Sequence, residues 1–302
     1  MDHPMLAALM FLGMTLFLLL GYPVAPTLIF TALSFGYVGF GLPFFDLLPL
    51  RVWGTMTNFT LIAVPLFVFM GVALEKSGIA EELLETMALV FGRLRGGIAI
   101  SVVVGAILAA STGIVGASVV TMGLISLPTM LRRGYQKELI TGTICASGTL
   151  GQIIPPSVIL ILLGDIMGLS AGDLFIGAVI PGLVLVALYI IYIVVLAHVK
   201  PHLAPPIPKE ELAAFRDEAL KRVTIALLPA AALIVAVLGS IFFGIASPTE
   251  GAAVGAAGGI ALTIIKGRFS IRMLREVMFS TTRITRMVFI ILVGAAAFGL
   301  VF

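Results

Sequence analysis

Charged residues are scarce in this sequence. Only 11% of the 302 residues are Asp, Glu, Lys or Arg, whereas 60% are hydrophobic, and the mean hydropathy is +1.21. A soluble domain is nearer to one half apolar and one quarter charged, so water is a poor solvent for this much apolar surface. The composition indicates an integral membrane protein, in which the position of each Lys and Arg matters more than the net charge of +3.

Several kinds of chemical site are missing as well. The single cysteine, Cys145, excludes a disulfide framework and a cysteine-rich metal site. The sequence contains neither the nucleotide loop G-x-x-x-x-G-K-[ST] nor the zinc motif H-E-x-x-H. The aspartates lie at the edges of apolar segments, which disfavours an intramembrane protease. We therefore predict that the chain is not an enzyme, needs no organic cofactor, and binds neither nucleic acid nor ATP.

Apolar runs of roughly 20 residues, the length that crosses a bilayer, recur along the chain. We predict membrane helices at 5–22, 24–41, 61–75, 178–198, 224–243, 248–265 and 284–302. Shorter amphipathic segments lie at 43–58, 79–92, 171–177 and 269–282. Because Asp2 and His3 precede the first run and no small-residue cleavage site follows it, we expect this helix to be retained rather than removed as a signal peptide.

Positive charges set the predicted orientation, because Lys and Arg concentrate on the cytoplasmic side. The residues expected there are Arg93, Arg95, Arg132, Arg133, Lys137, Lys200, Lys209, Arg216, Lys221, Arg222, Lys266 and Arg268. This orientation makes the N-terminus periplasmic. It also requires 97–131 to begin and end on one side, although two full crossings need about 40 residues. We predict a re-entrant helical hairpin at 97–131; an ordinary helix with a Gly/Ser packing face is the alternative.

The next apolar segment, 138–168, is too long for one straight span. Its middle contains Gly148, Gly151 and the adjacent prolines Pro155 and Pro156. Two neighbouring prolines remove two backbone donors and forbid a regular helix. We predict a discontinuous helix whose broken middle faces the hairpin tip, with a simple proline kink that binds nothing as the alternative.

Two parts of the chain are weakly alike at a nearly constant offset. Ala25-Pro26-Thr27 recurs as Ser247-Pro248-Thr249, and 66–73 resembles 289–296. Because the charge rule places 43–58 outside and 269–282 inside, the two halves have opposite orientations. Inverted repeats with broken helices are typical of secondary transporters, which bind substrate near the membrane midplane.

The repeat predicts the domain organisation. A first repeat occupies 1–199, with scaffold helices within 1–92, the hairpin at 97–131, the broken helix at 138–168 and a helix at 178–198. A proline-rich polar connector follows at 200–223, and 224–302 begins a second repeat. A complete second repeat would give a protein of roughly 420 residues.

At its motifs the sequence resembles the large membrane subunit (M subunit) of TRAP transporters, the tripartite ATP-independent periplasmic family. The similarity covers essentially the whole chain and is most specific from Thr112 to Gly182. That part contains Thr112-Gly113-Ile114-Val115-Gly116-Ala117-Ser118, Pro128-Thr129-Met130-Leu131-Arg132-Arg133-Gly134-Tyr135, Gly148-Thr149-Leu150-Gly151, Ile154-Pro155-Pro156-Ser157 and Pro181-Gly182. A second mark of the family is Ser247-Pro248-Thr249-Glu250 with Ala252-Ala253-Val254-Gly255.

The resemblance implies an all-α polytopic membrane protein with the elevator-type fold of the ion-transporter superfamily. It implies sodium-coupled import of small organic acids, such as C4-dicarboxylates, across the bacterial inner membrane. It also implies two protein partners, a small four-helix membrane subunit and a periplasmic substrate-binding protein. Two alternatives stay open: a sodium–dicarboxylate carrier of the same superfamily that needs no binding protein, and a membrane scaffold or channel.

Site residues also follow from the resemblance. Sodium prefers oxygen ligands, which unwound backbone and hydroxyl groups supply. The first sodium site is assigned to Ser111, Thr112, Gly113, Gly116, Ser118, Gly148, Thr149, Gly151 and Pro155. Helix N-termini attract carboxylates, and the substrate anion is assigned to Gly116, Ala117, Ser118, Pro156 and Ser157. A second sodium site is expected beyond Phe302.

Overall fold

The structure is a computed structural model that describes residues 3–79, 82, 86–87, 90–92, 94, 96–109, 115–206 and 228–301. These residues contain helices and no strands. In chain order the helices are α1 His3–Leu19, α2 Val24–Phe40, α3 Pro43–Met56, α4 Ala63–Lys76, α5 Gly97–Ala109, α6 Val115–Arg132, α7 Lys137–Ile153, α8 Val158–Met167, α9 Ala171–Val199, α10 Leu228–Phe242, α11 Pro248–Ile265 and α12 Ile271–Val301. Short 3-10 turns lie at Thr60–Ile62 and Pro201–Leu203.

Helix lengths agree with a membrane protein. Among the described residues, α9, α11 and α12 are long and apolar enough to cross a bilayer, and two broken helix pairs raise the number to five if each pair counts as one span. The all-α, polytopic part of the predicted fold class is therefore confirmed. Large apolar side chains such as Leu19, Leu124 and Phe243 are more than 70% exposed, which in a bilayer places them against lipid.

Contacts divide the chain into two compact units. The first unit comprises 1–59 with 282–302. Its buried core is formed by Leu6, Met10, Ala32, Phe44, Ala297, Phe298 and Val301. The second unit, 60–281, includes α4 together with α5 to α11, whereas the sequence grouped 61–75 with the scaffold helices.

Two groups of helices make up the interior of the second unit. Helices α5, α6, α7 and α9 share one buried core, which includes Ile98, Met122, Ile140 and Ile193. Elsewhere in the unit α11 lies along α4, and the lack of a side chain at Gly255 allows the close approach. A Cβ on Gly255 would be 2.6 Å from the sulfur of Met70. Small residues at such contacts are typical of helix pairs in membranes.

A charged cluster joins the ends of these two helices. Glu82 accepts hydrogen bonds from Lys266 Nζ at 3.1 Å and from Arg268 Nη2 at 3.0 Å, and Arg268 also donates to the Ser77 carbonyl at 3.0 Å. The cluster therefore ties the segment after α4 to the end of α11 and partly satisfies the last carbonyls of α4.

Helix boundaries differ from the predicted ones in two places. Helix α9 begins at Ala171 and continues through 178, after Ser170 caps it by accepting a hydrogen bond from the Asp173 N–H at 3.3 Å. Helix α12 is likewise continuous from Ile271, so 269–282 and 284–302 do not form separate helices. A change of polarity along a sequence sets how deep a segment lies, but it does not interrupt the hydrogen bonds of a helix.

Candidate functional site in the second unit

The backbone is irregular at the break between α7 and α8. The two helices bend by 45° at the four residues that separate them. Because Pro155 and Pro156 have no N–H, the carbonyls of Gly151 and Gln152 lose their regular helical donors. The Ile154 N–H still bonds the Leu150 carbonyl at 3.0 Å, so the helix ends cleanly there. The break therefore leaves these two carbonyls to other donors, and Gly151 is buried.

Ser157 bridges this break. Its buried hydroxyl donates to the Gln152 carbonyl on one side and accepts from the Leu160 N–H at 3.4 Å on the other, which caps α8. One side chain thus replaces the donor that Pro156 removed and satisfies one of the free amides of the next helix. Within the described residues, the Gly151 carbonyl receives no such replacement.

Helices α6 and α7 approach each other closely beside Gly148. A Cβ on Gly148 would overlap Cγ2 of Val119 and lie 3.1 Å from both its N and its Cα, so the contact involves the backbone as well as the side chain of that residue. Val119 directly follows Ser118, which is buried with 7% of its surface exposed. The predicted site residue Gly148 on α7 therefore lies against the residue next to the predicted site residue Ser118 on α6.

Ser147 is a candidate site residue that sequence reasoning missed. Its side chain is completely buried, and its hydroxyl has no hydrogen-bond partner in the described part of the chain. Residues at i and i+4 lie on one face of a helix, so Ser147 and Gly151 share a face. The only signal in the sequence is its spacing from the proline break. That spacing does not single out Ser147 unless the burial of its side chain is known.

Helix α9 supports the break from another side. Gly182 packs on Ile154, to whose Cγ1 an added Cβ would approach within 3.0 Å. The Pro181-Gly182 pair therefore lies against the interrupted segment. This contact gives a packing role to the Pro181-Gly182 motif, which the sequence analysis identifies only from the resemblance to the family.

Backbone hydrogen bonds fasten one end of the bundle. The Gly96 N–H donates to the Ala204 carbonyl at 3.1 Å, and the Gln136 N–H donates to the Leu203 carbonyl at 3.0 Å. The Ile98 N–H donates to the hydroxyl of Tyr135 at 3.4 Å. The start of α5, the turn between α6 and α7, and the end of α9 therefore lie together. Burial raises the pKa of Tyr135 to about 12, so this hydroxyl stays protonated.

The remaining predicted residues divide into three groups. Ser111, Thr112 and Gly113 lie outside the described residues, and of Gly116 and Ala117 only the backbone, in the first turn of α6, is described. The Thr149 hydroxyl donates to the Ala146 carbonyl at 2.7 Å, which leaves its oxygen lone pairs for another contact. Pro155 and Pro156 are buried within the break.

The described part of the chain holds no cluster of three or more His, Cys, Asp or Glu side chains. What the site offers is carbonyl and hydroxyl oxygen on α6 and α7. Such oxygens suit a hard monovalent cation, whereas a tightly held transition metal prefers imidazole or thiolate ligands.

Comparisons with known proteins agree with this architecture. The family described as the tripartite ATP-independent periplasmic transporter, DctM component, matches residues 11–302. The C4-dicarboxylate TRAP transporter large permease protein DctM of Vibrio cholerae is 36% identical over 66% of this chain and 43% of its own length. The ectoine/5-hydroxyectoine TRAP transporter large permease protein UehC of Ruegeria pomeroyi is 30% identical over 97% of this chain and 68% of its own length. The sialic acid TRAP transporter large permease protein SiaM of Vibrio cholerae is 27% identical over 92% of this chain and 64% of its own length.

The matches to the DctM proteins of Vibrio cholerae and Pseudomonas aeruginosa span 43% and 48% of those relatives, so this chain corresponds to about half of their length. Nearly every residue of the chain nevertheless falls within the family match, and members of this family are transporters. The chain belongs to the DctM family, the large permease components of TRAP transporters.

Proposed function

We propose that this chain is part of the large membrane subunit of a sodium-coupled importer of small organic acids. The substrates named for its relatives are C4-dicarboxylates, ectoines and sialic acid, and all of these molecules carry a carboxylate. The partners are a small four-helix membrane subunit and a periplasmic binding protein that delivers the substrate. The protein lies in the bacterial inner membrane with its N-terminus in the periplasm.

One observation carries the sodium proposal. The Gly151 carbonyl lacks its helical donor, and the Ser147 hydroxyl, which has no partner among the described residues, lies one turn away on the same face of α7. An unsatisfied carbonyl away from water is costly, and a cation bound between these oxygens removes that cost. Ser118, across the close contact at Gly148, extends the same cluster of oxygens.

The substrate anion is assigned to the helix N-termini beside this cation. The first turn of α6 begins at Val115 and that of α8 at Val158, and each offers amide donors and the positive end of a helix dipole. Because the Ser157 hydroxyl is already engaged within the break, we expect it to position these amides rather than to bind the carboxylate itself.

Packing within each unit supports inverted repeats. In the second unit α11 packs on α4 through Gly255 and Met70. In the first unit the repeat partners of these helices, α2 and the end of α12, pack together through Leu28 and Gly294, where a Cβ would lie 3.1 Å from the Leu28 Cβ. Each repeat thus contributes one helix to each pair. An elevator mechanism requires the site to move as one body, and all the described site residues lie in the single unit 60–281.

The test is uptake into proteoliposomes. The full-length subunit, its small membrane partner and its cognate binding protein are reconstituted, and entry of radiolabelled succinate, ectoine and sialic acid is measured with and without an inward sodium gradient. Ser147→Ala is expected to raise the sodium concentration for half-maximal uptake about tenfold, the scale of one hydrogen-bond-like contact to a charge.

Ser101→Ala is the matched control, since Ser101 is also buried but its hydroxyl already donates to the Gly97 carbonyl at 2.7 Å. This variant should keep the sodium dependence of the parent. Uptake that does not depend on sodium contradicts the ion site. Uptake that proceeds without the binding protein favours the simpler carrier instead.

A further inference from the structure

A groove lies between α7 and α9, toward the ends of these helices that are away from the break. It encloses about 460 Å³, within the range of about 300–1,000 Å³ that holds small ligands. Its walls are apolar for most of their length, with Leu139 and Ala146 on α7 and Ile193 and Leu196 on α9. None of the residues assigned to the transport site lines it.

One end of this groove is charged. Gln136 and Glu138 from the start of α7 and Lys200 from the end of α9 line the same cavity. All three are exposed, and neither Glu138 nor Lys200 has an ion-pair partner among the residues that the structure describes. The hydrogen bond from the Gln136 N–H to the Leu203 carbonyl fixes the two helix ends beside each other.

The length of the groove matches one leaflet. Its lining extends from Gln136 to Ala146 on α7 and from Tyr189 to Lys200 on α9, which is about 15 Å along each helix. Half of the hydrocarbon core of a bilayer is also about 15 Å. The groove therefore begins at a charged membrane surface and reaches roughly to the midplane.

Charge and shape together identify the occupant. We propose that this groove binds one zwitterionic phospholipid of the cytoplasmic leaflet, with a primary ammonium in its headgroup, as in phosphatidylethanolamine. Lys200 and the Gln136 amide donate to the phosphate, and the Glu138 carboxylate accepts from the ammonium. An acyl chain lies along Leu139, Ile193 and the rest of the apolar wall. The positive charges of Arg132, Arg133 and Lys137 at this end place it on the cytoplasmic side.

The proposal predicts different affinities for three classes of lipid headgroup. Phosphatidylglycerol offers the phosphate to Lys200 but gives Glu138 no cation. Phosphatidylcholine offers a cation without an N–H, so it cannot donate to the carboxylate. Phosphatidylethanolamine should therefore bind about two- to fivefold more tightly than either, the scale of one solvent-accessible ion pair.

Fluorescence quenching by brominated acyl chains measures this preference directly. Tyr192 lines the apolar part of the groove and is 64% exposed, so Tyr192→Trp places a probe beside the proposed acyl chain in the full-length protein with its small subunit. The signal is the difference from the parent protein, titrated with brominated phosphatidylethanolamine, phosphatidylcholine or phosphatidylglycerol. Ile191→Trp is the control, because Ile191 is exposed on the neighbouring face of α9 and does not line the groove.

Two charge variants, each made in the Tyr192→Trp background, separate the contacts. Glu138→Gln is expected to abolish the preference for phosphatidylethanolamine over phosphatidylglycerol, whereas Lys200→Gln weakens both while preserving their ratio. Lys137→Gln, next in sequence but outside the groove, should change neither.

Three results would overturn the proposal. The first is equal quenching of the Tyr192→Trp probe by all three headgroups. The second is the same headgroup preference for the Ile191→Trp control, because the preference would then not belong to the groove. The third is the absence of quenching in the Tyr192→Trp protein, since another protein segment then covers the groove.

Discussion

The contact between Gly148 and Val119 gives a sharp prediction, because a single methyl group tests the proposed meeting point of α6 and α7. In Gly148→Ala the new Cβ would lie 3.1 Å from the N and Cα of Val119. The new Cβ would also overlap Cγ2 of Val119. Rotation of the Val119 side chain can relieve that contact but not the contacts with its backbone, so α6 must still move away by a few tenths of an ångström. Overpacking of this kind costs about 1–3 kcal/mol.

Gly142→Ala is the matched comparison on the same helix. No protein atom lies within 4 Å of a Cβ built on Gly142, which lines the groove between α7 and α9, so the effect on the stability of the chain itself is the gain in helix propensity of roughly 1 kcal/mol for Ala over Gly. The same gain applies at 148. The difference between the two variants therefore isolates the cost of the contact, and we expect Gly148→Ala to be less stable than Gly142→Ala by about 1–3 kcal/mol.

The assay is the fraction of full-length protein that stays monodisperse after heating, measured by size-exclusion chromatography. At roughly 2–4 °C per kcal/mol, the apparent melting temperatures of the two variants should differ by several degrees. Sodium-dependent uptake below both temperatures should show a weaker sodium response for Gly148→Ala alone, since the shift separates Ser118 from Ser147. Equal melting temperatures and equal sodium responses for the two variants would refute the proposed contact and its role.

Two further substitutions test other parts of the second unit. Ser157→Ala removes both a helix cap and the donor that bridges the break, so it should lower the free energy of unfolding by about 2 kcal/mol. Ser170→Ala removes only a helix cap and should lower it by about 1 kcal/mol. Similar melting temperatures for the two variants would contradict the bridging role of Ser157. Glu82→Gln leaves Lys266 and Arg268 without their carboxylate. It should lower the melting temperature, and the decrease should be smaller in high salt because salt screens the ion pairs of the parent protein. A decrease that salt does not change would mean that these pairs do not stabilise the protein electrostatically.

The break in the helix could be placed from the sequence because its cause is local. Pro155 and Pro156 lack an N–H wherever they stand, and the consequence for the carbonyls of Gly151 and Gln152 follows from helix geometry alone. The family resemblance also rested on this segment, and the family match is confirmed. The sodium ligands, the hairpin tip and the elevator mechanism stay predictions, and Ser111, Thr112 and Gly113 lie outside the described residues.

The sequence could not predict the contacts between helices. Nothing in the hydropathy of α7 distinguishes Gly142, which faces open space, from Gly148, which touches the backbone of α6. The same holds for Ser147, whose importance depends on complete burial without a partner in the described part of the chain. The continuity of α9 is a different case: the polarity change near 178 predicts a boundary, but the helix runs unbroken from Ala171 to Val199.

The depth of the candidate site follows from two independent helix lengths. Ser118 lies 14 residues before Arg132, which is about 21 Å along α6, and Gly148 lies 11 residues after Lys137, which is about 17 Å along α7. Both distances start from the end of the bundle that the bond between Gln136 and Leu203 fastens. With a hydrocarbon core of about 30 Å, both helices place the site near the midplane. The Gly151 carbonyl, which has no donor among the described residues, is costly at that depth unless something binds it, and this supports the proposed coupling cation over a kink that binds nothing.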